Sequence, residues 1–213
     1  MQLQLALDMM ELPEALAMAE QVESEIDIIE IGTPFIVREG IRAVTAFKKA
    51  FPHRRVLADL KIMDAGEHEA RMAIEAGADL VTVLGVADDA TIRGTLAVAR
   101  NSGCEVLVDM ICVPDVEKRA AELDEMGVDY ICAHTAFDVQ DTGRDPLAEL
   151  LQIQRVAVRA GAAVAGGITR DTIGVIAARK PAILIVGGGI TGQIVPKEAA
   201  AAMRKVCGEA MSS

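Results

Sequence analysis

The run Asp59-Leu60-Lys61-Ile62-Met63-Asp64 places three charged side chains in six residues, directly after the strand-like segment Arg55–Ala58. Buried charge is costly unless paired, so packing alone gives no reason to end a strand this way. Side chains alternate along a strand, which sets Asp59 and Lys61 on the same side. A carboxylate and an ammonium held side by side at a strand end can handle a proton or bind an oxyanion.

Other ionisable groups recur in the same setting. Eight apolar runs read as strands, near Leu3–Leu7, Asp27–Ile31, Arg55–Ala58, Leu80–Leu84, Glu105–Val108, Tyr130–Ala133, Ala162–Ala165 and Ile183–Val186. Asp8 follows the first, and Glu30 lies in the second, which Gly32-Thr33-Pro34 closes. Asp59, Lys61 and Asp64 follow the third, Gly85 the fourth, Asp109 the fifth and His134 the sixth. The last two end in Gly166-Gly167 and Gly187-Gly188-Gly189. Any one Asp in such a place serves equally as a helix cap or turn residue. Charges converging on one rim form a functional constellation.

Glu30 and Asp59 offer hard oxygen donors on neighbouring strands, with Asp8 nearby. A divalent cation such as Mg²⁺ would suit them; so would pairing with Lys61, and residue types alone leave both open. His134 is a candidate acid/base, the alternative being a structural histidine. His53 and His68 fall in helix or loop contexts and read as surface. The two glycine clusters let backbone amides approach a phosphate closely; two ordinary tight turns are the plainer account.

The elements that must position these groups follow from the pattern. Helical segments fill the gaps between the eight runs, and strict alternation predicts a (β/α)₈ barrel in one domain, residues 1–213. An open doubly wound sheet is the alternative. In the barrel, the carboxyl ends of the strands form the active-site rim. Gly77, Gly103, Gly127 and Gly161 read as helix C-caps. Glu75–Val81 and Glu125–Ile131 look like two copies of one junction. Pro13 and Pro196 mark first helical turns. Asp141–Pro146 is rich in loop formers and is expected to act as a mobile lid.

Composition sets outer bounds. The chain is 52% hydrophobic, which argues against disorder, and its bulk is aliphatic, as buried parallel strands require. A net charge of −11 and 2% aromatics argue against a nucleic-acid partner. Cys104, Cys112, Cys132 and Cys207 form no C-x-x-C pair and read as buried thiols of a reducing compartment. The N-terminus lacks a signal-peptide pattern and no apolar run reaches membrane-spanning length, so a cytoplasmic protein with no membrane partner is expected.

Taken together, Asp8, Glu30, Asp59-x-Lys61-x-x-Asp64 and the glycine clusters resemble the orotidine-monophosphate-decarboxylase suprafamily over essentially the whole chain. Ile29–Pro34, Ala58–Gly66 and Ala78–Gly85 carry the likeness most specifically. Two branches share the D-x-K-x-x-D run: one joins formaldehyde to D-ribulose 5-phosphate, the other decarboxylates 3-keto-L-gulonate 6-phosphate. The decarboxylating branch has an Arg three residues after its sixth-strand His and another in its last phosphate loop. Here those positions are Phe137 and Gly188, while His134–Gln140 keeps the shared H-x-x-x-D-x-Q skeleton.

The resemblance therefore implies a Mg²⁺-dependent aldolase giving D-arabino-hex-3-ulose 6-phosphate through an enediolate. It implies Glu30 and Asp59 as metal ligands, Lys61 as counter-charge, His134 as proton carrier and Asp8 as orienter of Lys61 and a substrate hydroxyl. It also implies that Asp109 positions the substrate and that Gly166, Gly167, Gly187, Gly188 and Gly189 hold its phosphate. The resemblance further implies that Asp64 enters the site of a partner subunit, making a homodimer with shared sites. The keto-gulonate phosphate decarboxylase is the alternative. A pentose-phosphate epimerase would need more strand-end histidines than His134, and a non-catalytic phosphosugar-binding barrel would not need the charged set.

Overall fold

The computed structural model describes residues 1–142 and 146–212. Eight strands, β1 (Gln2–Leu7), β2 (Ile28–Ile31), β3 (Arg55–Ile62), β4 (Leu80–Leu84), β5 (Glu105–Asp109), β6 (Tyr130–His134), β7 (Gly161–Ala165) and β8 (Ile183–Val186), pair in chain order and β8 closes on β1. Every pairing is parallel. The helices are α1 (Leu12–Val22), α2 (Thr33–Glu39), α3 (Arg42–Ala50), α4 (Gly66–Glu75), α5 (Asp89–Ser102), α6 (Val116–Met126), α7 (Pro146–Val156), α8 (Ile173–Ala177), α9 (Gly188–Thr191) and α10 (Pro196–Ser212). This is a single-domain (β/α)₈ barrel; the open-sheet alternative is excluded by closure.

Strand parity explains both cores. Residues such as Leu3, Leu5, Ile29, Val56 and Val81 point outward, under the helices. Their neighbours Ile28, Leu57, Leu80, Leu107, Cys132, Ala163 and Ile183 fill the barrel interior. Both faces are thus buried, which is why the strands read as continuous apolar runs rather than alternating ones.

The recurrent junction has a physical reason. Asp27, Asp79 and Asp129, each just before a strand, accept the backbone N–H of Leu3, Val56 and Val106 at 2.8 Å. Each carboxylate thereby ties the start of an even-numbered strand to the odd-numbered strand before it.

Two expectations are corrected. Gly77, Gly103 and Gly127 have positive φ at or just after helix ends, but Gly161 opens β7 instead. A Cβ there would lie 2.8 Å from Ala182 Cβ and 2.9 Å from the Tyr130 ring, so close packing selects this glycine. Cys112 is exposed in the turn after β5, whereas the other three cysteines are buried. Among the described residues no helix is long and apolar enough to cross a membrane. Residues 143–145 of the lid expected at 141–146 lie outside the described residues.

Candidate active site

One residue pattern builds the site. Asp8, Glu30, Asp59, Thr82, Asp109 and His134 each stand two positions beyond an interior residue: Ala6, Ile28, Leu57, Leu80, Leu107 and Cys132. Alternation keeps them pointing inward, and the added rise lifts them above the apolar plug. They line a cavity of about 730 Å³ at the carboxyl ends of the strands. The five glycines expected to hold phosphate line the same cavity, as does Lys61.

Lys61 is the hub. Its Nζ lies 2.8 Å from Asp59 Oδ2 and 2.8 Å from Asp109 Oδ2. Burial alone would lower the ammonium pKa, but Asp59 and Asp109 outweigh it and raise the value. Asp59 receives two further hydrogen bonds, from Thr82 Oγ1 at 2.7 Å and Thr33 Oγ1 at 2.8 Å. Asp8, expected to orient Lys61, acts on it through space, while the ion pairs of Lys61 go to Asp59 and Asp109.

Asp109 joins Lys61 to His134, whose Nδ1 is 2.8 Å from Asp109 Oδ2. Burial would raise the Asp109 pKa, yet the bonds and charges of His134 and Lys61 pull it down to about 2. The carboxylate is then an acceptor only, so Nδ1 of His134 donates to it. In the neutral ring this leaves Nε2 as the proton acceptor.

The opposite wall is crowded with negative charge. Glu30 is held by Gln4, whose Nε2 donates to Oε2 at 2.6 Å. Burial pushes the Glu30 pKa well above the carboxylate range, and Asp59 and Asp8 push it further. Asp8 is raised by burial and by Asp59 in turn. Hard oxygens whose mutual repulsion a cation would relieve fit a divalent ion such as Mg²⁺. No group of three or more candidate metal ligands occurs among the described residues. Mg²⁺ does not require one, since it commonly takes one or two carboxylates and keeps waters or substrate oxygens for the rest.

The glycines expected to hold phosphate lie at the ends of β7 and β8. Gly166 has φ 95°, and a Cβ there would stand 2.2 Å from the Thr135 carbonyl oxygen, so only glycine fits. Asp64 is not brought into the cavity: it is exposed on the turn after β3 and accepts the Ala65 N–H at 2.7 Å. Phe137 stands at the cavity mouth, 76% exposed.

Gln4, Thr33 and Thr82 touch the charged groups but did not stand out in the sequence. Gln4 alone had a usable signal, being a polar residue inside an apolar strand. Thr82 in Leu-Val-Thr-Val-Leu reads as an ordinary β-former.

A charged cluster over an apolar plug, at the carboxyl mouth of a closed parallel barrel, defines a (β/α)₈-barrel enzyme. The chain belongs to the orotidine 5'-phosphate decarboxylase / HUMPS family, which it matches over residues 1–203. It is 50% identical over 206 residues to a 3-hexulose-6-phosphate synthase of Bacillus subtilis, covering 97% of this chain and 98% of the relative. The crystal structure of 3-hexulose-6-phosphate synthase from Salmonella typhimurium superposes with a TM-score of 0.97 at 44% identity, covering 99% of this chain and all (100%) of that one. A 3-keto-L-gulonate-6-phosphate decarboxylase from Vibrio cholerae gives a TM-score of 0.86 at 29% identity, covering 98% and 97%.

Proposed function

We propose that this chain catalyses the reversible aldol addition of formaldehyde to D-ribulose 5-phosphate, giving D-arabino-hex-3-ulose 6-phosphate. The observation that carries the assignment is full-length likeness at 50% identity to a protein named for this synthase, against 29% for the decarboxylase. Phe137 and Gly188, where the resemblance expects arginines in a decarboxylase, point the same way.

The residues suit the steps. Backbone amides of Gly166–Gly167 and Gly187–Gly189 hold the phosphate and direct the ketose carbonyl toward Lys61. His134 Nε2 removes a proton from C1, breaking the C1–H bond and leaving an enediolate. Lys61 lies beside that developing negative charge as a preorganised counter-charge. C1 then bonds to the formaldehyde carbon, and the formaldehyde oxygen takes up a proton that His134 returns. Asp8 orients a substrate hydroxyl, and Asp109 keeps His134 in the required tautomer. Mg²⁺, held by Glu30 and Asp59, would supply further charge stabilisation to the sugar oxygens. Asp64, exposed and outside its own cavity, serves the site of a second subunit in a homodimer.

The test is Mg²⁺-dependent formaldehyde loss with D-ribulose 5-phosphate, measured beside carbon dioxide release from 3-keto-L-gulonate 6-phosphate. Aldol turnover in excess of decarboxylation is expected. Robust decarboxylation without formaldehyde consumption would overturn the assignment.

A further inference from the structure

We propose that Thr82 is a positioning residue that fixes where Lys61 presents its ammonium, a role resting on the aldol reaction proposed above. The observation is a break in the sheet. β3 and β4 pair at Leu57↔Leu80 and Ala58↔Val81, and pairing resumes only at Ile62↔Val83. Between those pairs Asp59, Leu60 and Lys61 of β3 stand against Thr82 alone on β4. The surplus bends the strand, and Lys61 takes φ 48°, a left-handed value that a lysine seldom adopts.

The Thr82 hydroxyl replaces the missing ladder. It accepts the Lys61 backbone N–H at 2.8 Å and donates to Asp59 Oδ1 at 2.7 Å. The direction is fixed, because an N–H can only donate and the hydroxyl proton is then free for the carboxylate. Thr82 is 3% exposed, so bulk water does not compete for either bond. One oxygen thus holds the backbone of Lys61 and, at the same time, the carboxylate that grips its ammonium. Thr82 touches neither phosphate glycines nor His134 through any of these bonds, so its influence falls on Lys61 and on the Asp59 carboxylate that grips it.

Thr82→Val keeps the side-chain shape and removes both hydrogen bonds; Thr82→Ser keeps the hydroxyl. The readouts are kcat and KM for ribulose 5-phosphate in the aldol assay, and solvent-deuterium incorporation at C1 of ribulose 5-phosphate without formaldehyde. For Thr82→Val, kcat and exchange are expected to fall about 10- to 100-fold, the loss a misplacement near 1 Å brings, with KM changed less than about twofold. Thr82→Ser is expected to stay within about threefold of wild type in both. Wild-type-like kcat in Thr82→Val, or an equal loss in Thr82→Ser, overturns the proposal. If Thr82→Val lacks the native circular-dichroism spectrum, Thr82→Ala against Thr82→Ser carries the same comparison. Exchange without condensation in the wild type would refute the aldol assignment while still judging Thr82 by exchange. Absence of both in the wild type overturns both.

Discussion

Lys61 and His134 share one oxygen: Nζ of the first and Nδ1 of the second each lie 2.8 Å from Asp109 Oδ2. The proposed counter-charge and the proposed proton carrier are therefore set by a single carboxylate that is 3% exposed. Asp109→Asn removes the charge that fixes the His134 tautomer and one of the two carboxylates, among the described residues, that pair with the Lys61 ammonium. We expect kcat to fall at least about 100-fold, as when the orienting acid of a catalytic histidine is neutralised. Steady-state kinetics on the folded variant checks this.

The same group sets an acid limit on stability. The folded pKa of Asp109 lies at about 2, below the ordinary 3.8, so its contribution is present above the unfolded value and is lost as pH falls through the folded one. Between pH 4 and 2, acid unfolding of wild type is expected to be steeper than that of Asp109→Asn. Circular-dichroism titrations of the two proteins over this window give the comparison.

Lys61→Ala is expected to abolish turnover, a loss on the order of 10³-fold or more, because among the described residues no other lysine or arginine hydrogen-bonds to these carboxylates. The barrel itself should persist, since its eight strand pairings and both cores lie apart from this side chain. Lys61→Arg is not expected to rescue, because a planar fork cannot take the place of a compact ammonium between Asp59 and Asp109. Near-normal activity in Lys61→Ala would remove the central role given to Lys61, and near-normal activity in Lys61→Arg would remove the need for a compact ammonium.

Much of this was legible in the sequence. The β4 and β8 limits match the apolar runs Leu80–Leu84 and Ile183–Val186, and six other runs mark the remaining strands to within a few residues. The main difference is β3, which continues through Asp59 and Lys61 to Ile62 rather than ending at Ala58. Charge looked like an end signal, yet these side chains enter the cavity without leaving the strand. The bulge that lets them do so is a relation between two strands, and no local pattern encodes it. Thr82 was invisible for the same reason. Gly161 was misassigned because cap glycines and packing glycines are alike until the Tyr130 ring is in place. Asp8, Glu30, Asp59, Lys61, Asp109 and His134 were findable because each is a polar residue late in an apolar run or just after one.

The ligand role proposed for Glu30 would set function against stability. Its folded pKa is raised by burial and by Asp59 and Asp8, so stability is lost as pH rises from the ordinary carboxylate value through the folded one. Glu30→Gln removes that loss. At pH 8 without divalent ions the variant is expected to melt higher than wild type, by about 2–4 °C for each kcal/mol recovered. Added Mg²⁺ should raise the wild-type Tm and leave Glu30→Gln nearly unmoved. Equal Mg²⁺ responses would count against Glu30 as a ligand.

Asp64 gives a test of shared sites. Lys61→Ala and Asp64→Asn are each expected to be inactive alone. If Asp64 serves the neighbouring subunit, a mixed dimer has one site lacking both groups and one site with both intact. Random re-pairing of equal amounts makes half the dimers mixed, each with one working site of two, so about a quarter of wild-type activity should return. If Asp64 acts within its own subunit, every site in every dimer lacks one group and the mixture stays inactive. Refolding the two variants together, then assaying against each refolded alone, separates the cases.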